Sequence, residues 1–371
     1  MFRITANIRV KIWNERTGDY LKTVLKFPAS SIKWNVGIDN YFDTASFIIP
    51  AMCRMKTSGE QYNNIQAQYI EETVLGGRKE AEEKNKNSTL IKSTKVFKQG
   101  DKVEIYAGYD GKNDLQFKGF ISRINFTIPV EIMCEGYAYQ LRTKIINKSF
   151  PNTTIKELLY YLIADTGIQL SDKCPERIDF RAHQFKNKTG LQVLDYLKEE
   201  YGLTVFFQYH FLYVGWRATY KGEIVKHRLN WNVIESKELL FNTYTGSTVN
   251  FVYKSRFASG AIKKIRANNI INHGEVKEVQ TVIQSDSDMQ LSVNDRQLKE
   301  DQKGYTGKIT GFLKPFVRPG MTTEIIDKKY SERNGRYFIE SVEGSVSDKG
   351  GRQTIGVSFA LSAPKSIKKS N

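Results

Sequence analysis

QGDKVEIYAGYDGKNDLQFKGFISRINFTIPVEIMCEG, from Gln99 to Gly136, and PGMTTEIIDKKYSERNGRYFIESVEGSVSDKGGRQTIGVSF, from Pro319 to Phe359, follow one grammar. Each opens on a glycine, Gly100 or Gly320, that starts a short strand, Val103–Ile105 or Thr323–Ile325. A polar hairpin follows, then a longer strand around Gly119-Phe120-Ile121 or Tyr337-Phe338-Ile339, with a glycine just before it, and then a final strand. The offset is 220 residues at the opening glycine and 218 at the phenylalanine, so the spacing is nearly kept. Internal duplication of one β-unit accounts for this. The competing explanation is that any two three-stranded meanders look alike, because strand grammar is generic.

Working outward from the first copy, residues 2–12 alternate. Phe2, Ile4, Ala6, Ile8, Val10 and Ile12 point one way and Arg3, Thr5, Asn7, Arg9 and Lys11 the other, as in a half-buried strand. A turn at Gly18-Asp19 leads to a strand near 22–27, and 31–38 and 44–49 give two more. Residues 53–97 break the pattern with Gly76-Gly77 and the charged run Arg78–Asn87. Such composition suits either a surface loop or an arm that orders only against a neighbouring subunit. Strands resume at 102–107, 115–126 and 130–134. The first domain, 1–145, thus reads as an antiparallel barrel with a polar insert.

Between 146 and 216 the period changes. Ile155, Leu158, Leu159, Leu162 and Ile163 share one helix face, with Thr154 and Glu157 as a capping-box pair and Gly167 at the expected C-terminal cap. Thr189 with Gln192, then Leu191, Leu194 and Leu197, and finally Gly202, repeat that layout. A hairpin, 204–208 and 211–216, turns at Tyr209-His210. This is an α/β helix-helix-hairpin module. The region 217–371 is β-rich again, with strands expected at 239–244, 248–254, 261–266, 275–283, 306–313, 322–326, 336–346 and 354–361, a polar helix across 288–302 and a frayed tail after Pro364. The fold class is therefore α+β, mainly β, with two similar barrels flanking the module.

The net charge of +16 sits in the outer parts. Residues 1–145 hold 22 basic and 16 acidic residues, 146–216 hold 8 and 8, and 217–371 hold 26 and 16. Only Lys365, Lys368 and Lys369 form a weak cluster. Such an excess fits nucleic acid, a membrane surface or an acidic protein. No apolar run approaches the roughly 18 residues of a membrane span, and the N-terminus does not read as a signal peptide. Folding in a cytoplasm is expected. Cys53, Cys134 and Cys174 are too scattered for a disulfide framework or zinc site, and His183, His210, His227 and His273 form no ligand pair.

The run GDKVEIYAGYDG, then FKGFISRI and PVEIMCEGYAYQLR, resembles the first barrel of bacteriophage tail hub (baseplate hub) proteins and of related injection machines. TTIKELLYYLIADTGI with KTGLQVLDYLKEEYGLTVFFQYHFLYVGW is similar to the helix–helix–hairpin module of such hubs. GYTGKITGFLKPFVRPGMTTEIID with NGRYFIESVEGSVSDKGGRQTIGVSF is similar to their second barrel. The order of all three carries the resemblance over most of the chain, and the insert at 53–97 departs from it. The resemblance implies a homotrimer whose duplicated barrels form a pseudo-sixfold collar in a virion tail. Its partners would be the tail tube protein, the central spike protein and other baseplate or tape-measure proteins, with DNA only as cargo through the channel. Gly100, Asp101, Val103, Ile105, Gly320, Thr323 and Ile325, with the insert, are the expected interface elements.

Catalytic motifs do not appear. There is no phosphate-binding G-x-x-x-x-G-K-[ST], no dinucleotide fingerprint and no G-x-S-x-G elbow; Gly344–Gly351 reads as a hairpin turn. Cys134 reads as core. Glu199-Glu200 and Glu71-Glu72 read as solvated pairs without the apolar pocket that glycoside hydrolysis needs. No catalytic, cofactor or metal residue is expected. Two other functions fit the composition: a β-barrel nucleic-acid-binding protein, for which Lys118, Arg123 and Phe126 share one strand, and a tail-borne cell-wall hydrolase.

Overall fold

A computed structural model describes residues 3–14, 19–28, 31–38, 41–49, 52–56, 66–68, 88–92, 97–125, 127–229, 231–236, 238–242, 249–257, 259–268, 274–300, 304–330, 334–348 and 350–362. The chain is mainly β with few helices, as expected, and its described strands do not close into a barrel. It divides into two compact units. The first comprises residues 1–35, 42–136 and 343–353, and the second residues 36–41, 137–342 and 354–371. The helix–hairpin module and most of the region after 217 thus both contribute to the second unit.

The first unit is built from β1 (Ile4–Asn14), β2 (Asp19–Pro28), β3 (Ser31–Gly37), β4 (Thr44–Ile49), β5 (Met52–Lys56), β6 (Gln66–Gln68), β7 (Ser88–Lys92), β8 (Lys102–Tyr109), β9 (Lys112–Asn125) and β10 (Val130–Glu135). Its antiparallel ladder runs β2–β1–β8–β9–β10–β4–β3. Alternation explains which side is buried: Ile8, Val10, Ile32, Phe47, Val103, Ile105 and Ile132 face inward. The β8–β9 turn places Asp110 and Gly111 at positive φ, the geometry that suits a two-residue hairpin. The insert is not a plain loop. Its described parts, β5, β6 and β7, pair antiparallel, with β5 bonding both others.

The second unit contains β11 (Ile145–Phe150), β12 (Thr153–Thr154), β13 (Gln169–Leu170), β14 (Asp179–Phe180), β15 (His183–Thr189), β16 (Thr204–Gln208) and β17 (Phe211–Gly215). Helices α1 (Tyr139–Thr143), α2 (Ile155–Ile163) and α3 (Gly190–Tyr201) lie among them. In α3 the capping box is complete, since Thr189 accepts from the Gln192 amide while the Gln192 side chain accepts from the Thr189 amide. Gly202 ends α3 in the left-handed region. In α2 only half the box forms: Thr154 accepts from the Glu157 amide, but the Glu157 carboxylate takes the Thr153 hydroxyl instead. The C-terminal turn of α2 also departs from expectation. Ala164 is the cap residue and Asp165 adopts positive φ, while Gly167 donates its N–H to the Gln140 side chain. Leu158, Leu162, Leu194 and Leu197 are fully buried, each contributing on the order of 2 kcal/mol of transfer free energy.

The remaining elements are β18 (Ile224–Arg228), β19 (Val233–Glu235), β20 (Leu239–Asn242), β21 (Val249–Arg256), β22 (Ile262–Arg266), β23 (Glu275–Thr281), α4 (Asp286–Glu300), β24 (Gly304–Gly311), β25 (Thr322–Ile326), β26 (Gly335–Ser347) and β27 (Gly350–Ser362); they belong to the second unit except for residues 343–353 of β26 and β27, which belong to the first. Strand β18 runs parallel to β25, and β25 antiparallel to β26. Strands β19 and β20 both pair with β24. A separate three-stranded sheet, β22–β21–β23, carries α4 on one face. Strands β18 (IVKHR) and β19 (VIE) were not expected, because both are short and neither alternates clearly between apolar and polar residues. The tail after Pro364 lies outside the described residues, as does His273.

Candidate assembly interface

The duplicated element is the same object at atomic detail. In the first copy the Asp101 amide donates to the Lys98 carbonyl (3.3 Å), closing a turn with Gly100 at φ +91°. In the second, the Met321 amide donates to the Arg318 carbonyl (3.1 Å), with Gly320 at φ +88°. Both are turns whose third residue needs positive φ, which glycine supplies without steric cost, and Pro319 fills the position before it as such turns favour.

From each turn the same two bonds lead into the sheet. Gly100 N–H donates to Ile121 O (2.8 Å) and Ile121 N–H to Asp101 O (2.9 Å). Gly320 N–H donates to Ile339 O (2.9 Å) and Ile339 N–H to Met321 O (3.0 Å). The ladders continue in step, Lys102–Ile105 against Phe117–Phe120 and Thr322–Ile325 against Gly335–Phe338. Even the side chain after the glycine plays one part twice: Asp101 Oδ2 accepts the Lys98 amide at 2.8 Å and Met321 Sδ lies 3.3 Å from the Arg318 amide.

The expected interface residues therefore lie where expected along the chain, but most point inward. Asp101, Val103, Ile105, Thr323 and Ile325 are fully buried within a single chain, and Gly320 is buried too; Gly100 is half-buried. Outward from the same strands stand Lys102, Glu104 and Tyr106 in the first copy and Glu324 and Ile326 in the second, all partly exposed. Thr323 has a buried partner that sequence reading overlooked. His227 Nδ1 on β18 lies 2.8 Å from Thr323 Oγ1, and burial lowers its imidazole pKa to about 4.

The corner between β18 and β19 was also missed. Asn232 accepts the Arg228 amide at 2.7 Å through Oδ1 and donates to the Lys226 carbonyl at 3.0 Å through Nδ2. The Trp231 and Asn232 amides both donate to Arg228 O, so the turn is fully tied. It holds Trp231 80% exposed. A tryptophan followed by an asparagine after a basic strand was the available signal.

Chemistry is sparse. Among the described residues no cluster of His, Cys, Asp or Glu could hold a metal ion. Cys134 is buried and its thiol pKa is raised by desolvation; Cys174, half-buried, is raised for the same reason. Neither is in a disulfide. Glu199 and Glu200 are exposed on α3. Glu71, Glu72 and Phe126 lie outside the described residues. Lys118, on the strand it shares with Arg123, sits 3.9 Å from Glu104, which offsets its charge.

No protein-family model matches the sequence, and no curated protein sequence does. Solved structures do match its fold. A tail protein from Neisseria meningitidis MC58 aligns with a TM-score of 0.58 at 12% identity, covering 96% of each chain. The prophage MuSo2 43 kDa tail protein from Shewanella oneidensis aligns at 0.55 and 13% identity, covering 97% of this chain and 99% of its own. The E. coli c3393 protein, a type VI secretion component described as similar to the T4 bacteriophage tail proteins gp27 and gp5, aligns at 0.52 and 10% identity, covering 90% and 74%. The chain thus shares the fold of these tail proteins over nearly its whole length.

Proposed function

We propose that this chain is the structural hub of a phage-type tail or related injection machine. Three copies form a ring in the virion tail, assembled in the bacterial cytoplasm. Two similar barrel-type regions, within 1–145 and 217–371, make the ring pseudo-sixfold, and it joins a tail tube to a central spike around a channel. Tube, spike and other baseplate or tape-measure proteins are the partners, and DNA passes only as cargo.

One observation carries this reading: a single turn-and-ladder element occurs twice, bond for bond, at Gly100 and Gly320. A chain that carries one element twice lets a threefold assembly meet a sixfold one, since symmetry then matches at the level of that element. The likeness to tail proteins over 96% and 97% of the chain supports it. The role is mechanical rather than catalytic. The buried faces of β8 and β25 hold each unit together, and ring contacts fall to their outward residues, to the hairpin tips and to the insert. Light-scattering mass and negative-stain images of the purified chain, alone and with tube and spike partners, test this. A three-chain ring is expected; a chain that stays single in every mixture sinks the assignment.

A further inference from the structure

The charge of the helix–helix–hairpin module is zero in sum but not in place. Residues 146–216 hold 8 basic and 8 acidic side chains. None of those acids falls in 139–152 or 180–194, the stretches around β11 and β15, which carry Arg142, Lys144, Lys148, Arg181, Lys186 and Lys188. The two strands form a ribbon of their own, with no third strand beside it among the described residues. A bulge at Asn147 interrupts the register; Asn187 there takes φ +49° and donates its N–H to Asn147 Oδ1. Lys188 stands opposite Ile146 and Lys148 opposite Phe185, with Lys186 beside the bulge. Residues 147–149 and 186–188 are all exposed, so this end of the ribbon meets solvent on both strands.

Other surface lysines of the second unit are neutralised: Lys156 by Glu176, Lys263 by Asp286, and Lys254 and Lys264 by Glu278. Among the described residues no carboxylate pairs with Lys148, Lys186 or Lys188. Lys148 Nζ instead lies 3.9 Å over the Tyr161 ring, a contact that leaves its charge in place. Like charges gathered without acids repel one another, so the cluster works against stability and is relieved by an anion from outside. Shape narrows which anion. A two-stranded β-ribbon fits the major groove of B-DNA, about 12 Å wide, where its lysines reach the phosphates of the walls. An acidic protein face offers no such groove and nothing near the one charge per roughly 1.7 Å of a duplex.

We infer that the end of the β11–β15 ribbon around Lys148, Lys186 and Lys188 binds the phosphate backbone of duplex DNA, independently of sequence. The inference rests on the hub reading for DNA as the cargo and adds the surface that touches it. It needs no second chain, because all three lysines belong to one ribbon. Fluorescence anisotropy of a labelled DNA duplex with the full-length protein tests it between about 50 and 200 mM salt. Lys148→Gln, Lys186→Gln and Lys188→Gln combined remove three charges from the ribbon. Lys221→Gln, Lys226→Gln and Lys277→Gln combined remove as many from exposed positions outside it. Circular dichroism verifies that each variant is folded.

The ribbon variant should flatten the slope of log affinity against log salt by about 2.7, so that wild type loses roughly 40-fold more affinity across that range. The control variant should keep the wild-type slope, and arginine at the three ribbon positions should restore it. Equal losses in the ribbon and control variants overturn the site and leave only diffuse charge. A wild type without salt-dependent DNA binding overturns it as well. A ribbon variant that loses polyglutamate binding but keeps DNA binding overturns it in favour of an acidic protein. Light scattering of the same samples separates the two readings. A single chain that binds through the ribbon removes the ring and keeps this surface; a ring whose DNA binding ignores the ribbon variant keeps the hub and removes it.

Discussion

The element at Gly100 and the element at Gly320 share every backbone bond of the turn and the same ladder register, yet their surroundings differ on all sides. Strand β8 is flanked by β1 running antiparallel, whereas β25 is flanked by β18 running parallel. Val103 faces Val10 across its ladder, while Thr323 bonds to a buried histidine. The residue after the glycine is a carboxylate in one copy and a thioether in the other. A side-chain carbon added at Gly100 would meet nothing within 4 Å; at Gly320 it would come within 2.9 Å of Tyr220 and 3.1 Å of Phe206. The comparison teaches that the hydrogen-bonded frame is the repeated unit. Side chains and flanking strands are free to diverge, which gives one chain two different surfaces on one frame.

The equivalence can be broken first in the core. Ile105→Ala and Ile325→Ala, at fully buried and register-matched positions, should each lower stability by about 2–5 kcal/mol in urea unfolding. A loss in one copy without a comparable loss in the other would show that the frames do not bear load alike.

Acid should then separate the copies. Unfolded, His227 takes a proton near its ordinary value of 6.5; folded, it resists until about pH 4. Between those values the unfolded chain holds more protons, so stability falls as pH drops through the window, by up to ~3 kcal/mol. Amide exchange around Thr323 should quicken on acidification, exchange around Val103 should change less, and His227→Gln should remove the difference. Equal acceleration at both sites would contradict the assignment.

A smaller contrast lies at the turns. Gly100→Ala should cost about 1–2 kcal/mol from positive φ alone, and Gly320→Ala roughly 1–3 kcal/mol more because Tyr220 and Phe206 must give way. Thermal melts of the two variants measure this directly. Asp101→Ala, which removes the Oδ2 acceptor of the Lys98 amide, should cost about 1 kcal/mol, and Met321→Ala less from the turn itself, since a thioether is a weak acceptor.

Much of this frame was legible in the residues. The boundaries of β25 match the expected 322–326, and Thr189, Gln192 and Gly202 delimit α3, because alternation and caps are local signals. Where a tertiary choice decided, local reading failed. Asp165 rather than Gly167 took the left-handed position after α2, and β5, β6 and β7 formed inside a polar stretch. The candidate interface shows the limit most plainly. Alternation identified β8 and β25 as strands but could not say which face meets a partner, and all the residues chosen for it except Gly100 are buried within the chain. Trp231 escaped notice because exposure of an apolar side chain is visible only once the fold is known.

The two bonds from Asn232 carry one more consequence. Residues 226 and 228 are where the outer rim of β18 offers backbone groups, and a single amide side chain occupies the Lys226 carbonyl and the Arg228 amide. Bare strand rims recruit other strands indiscriminately and seed precipitates. At this rim Asn232 occupies both groups, so β18 offers no open pair there to a stray strand.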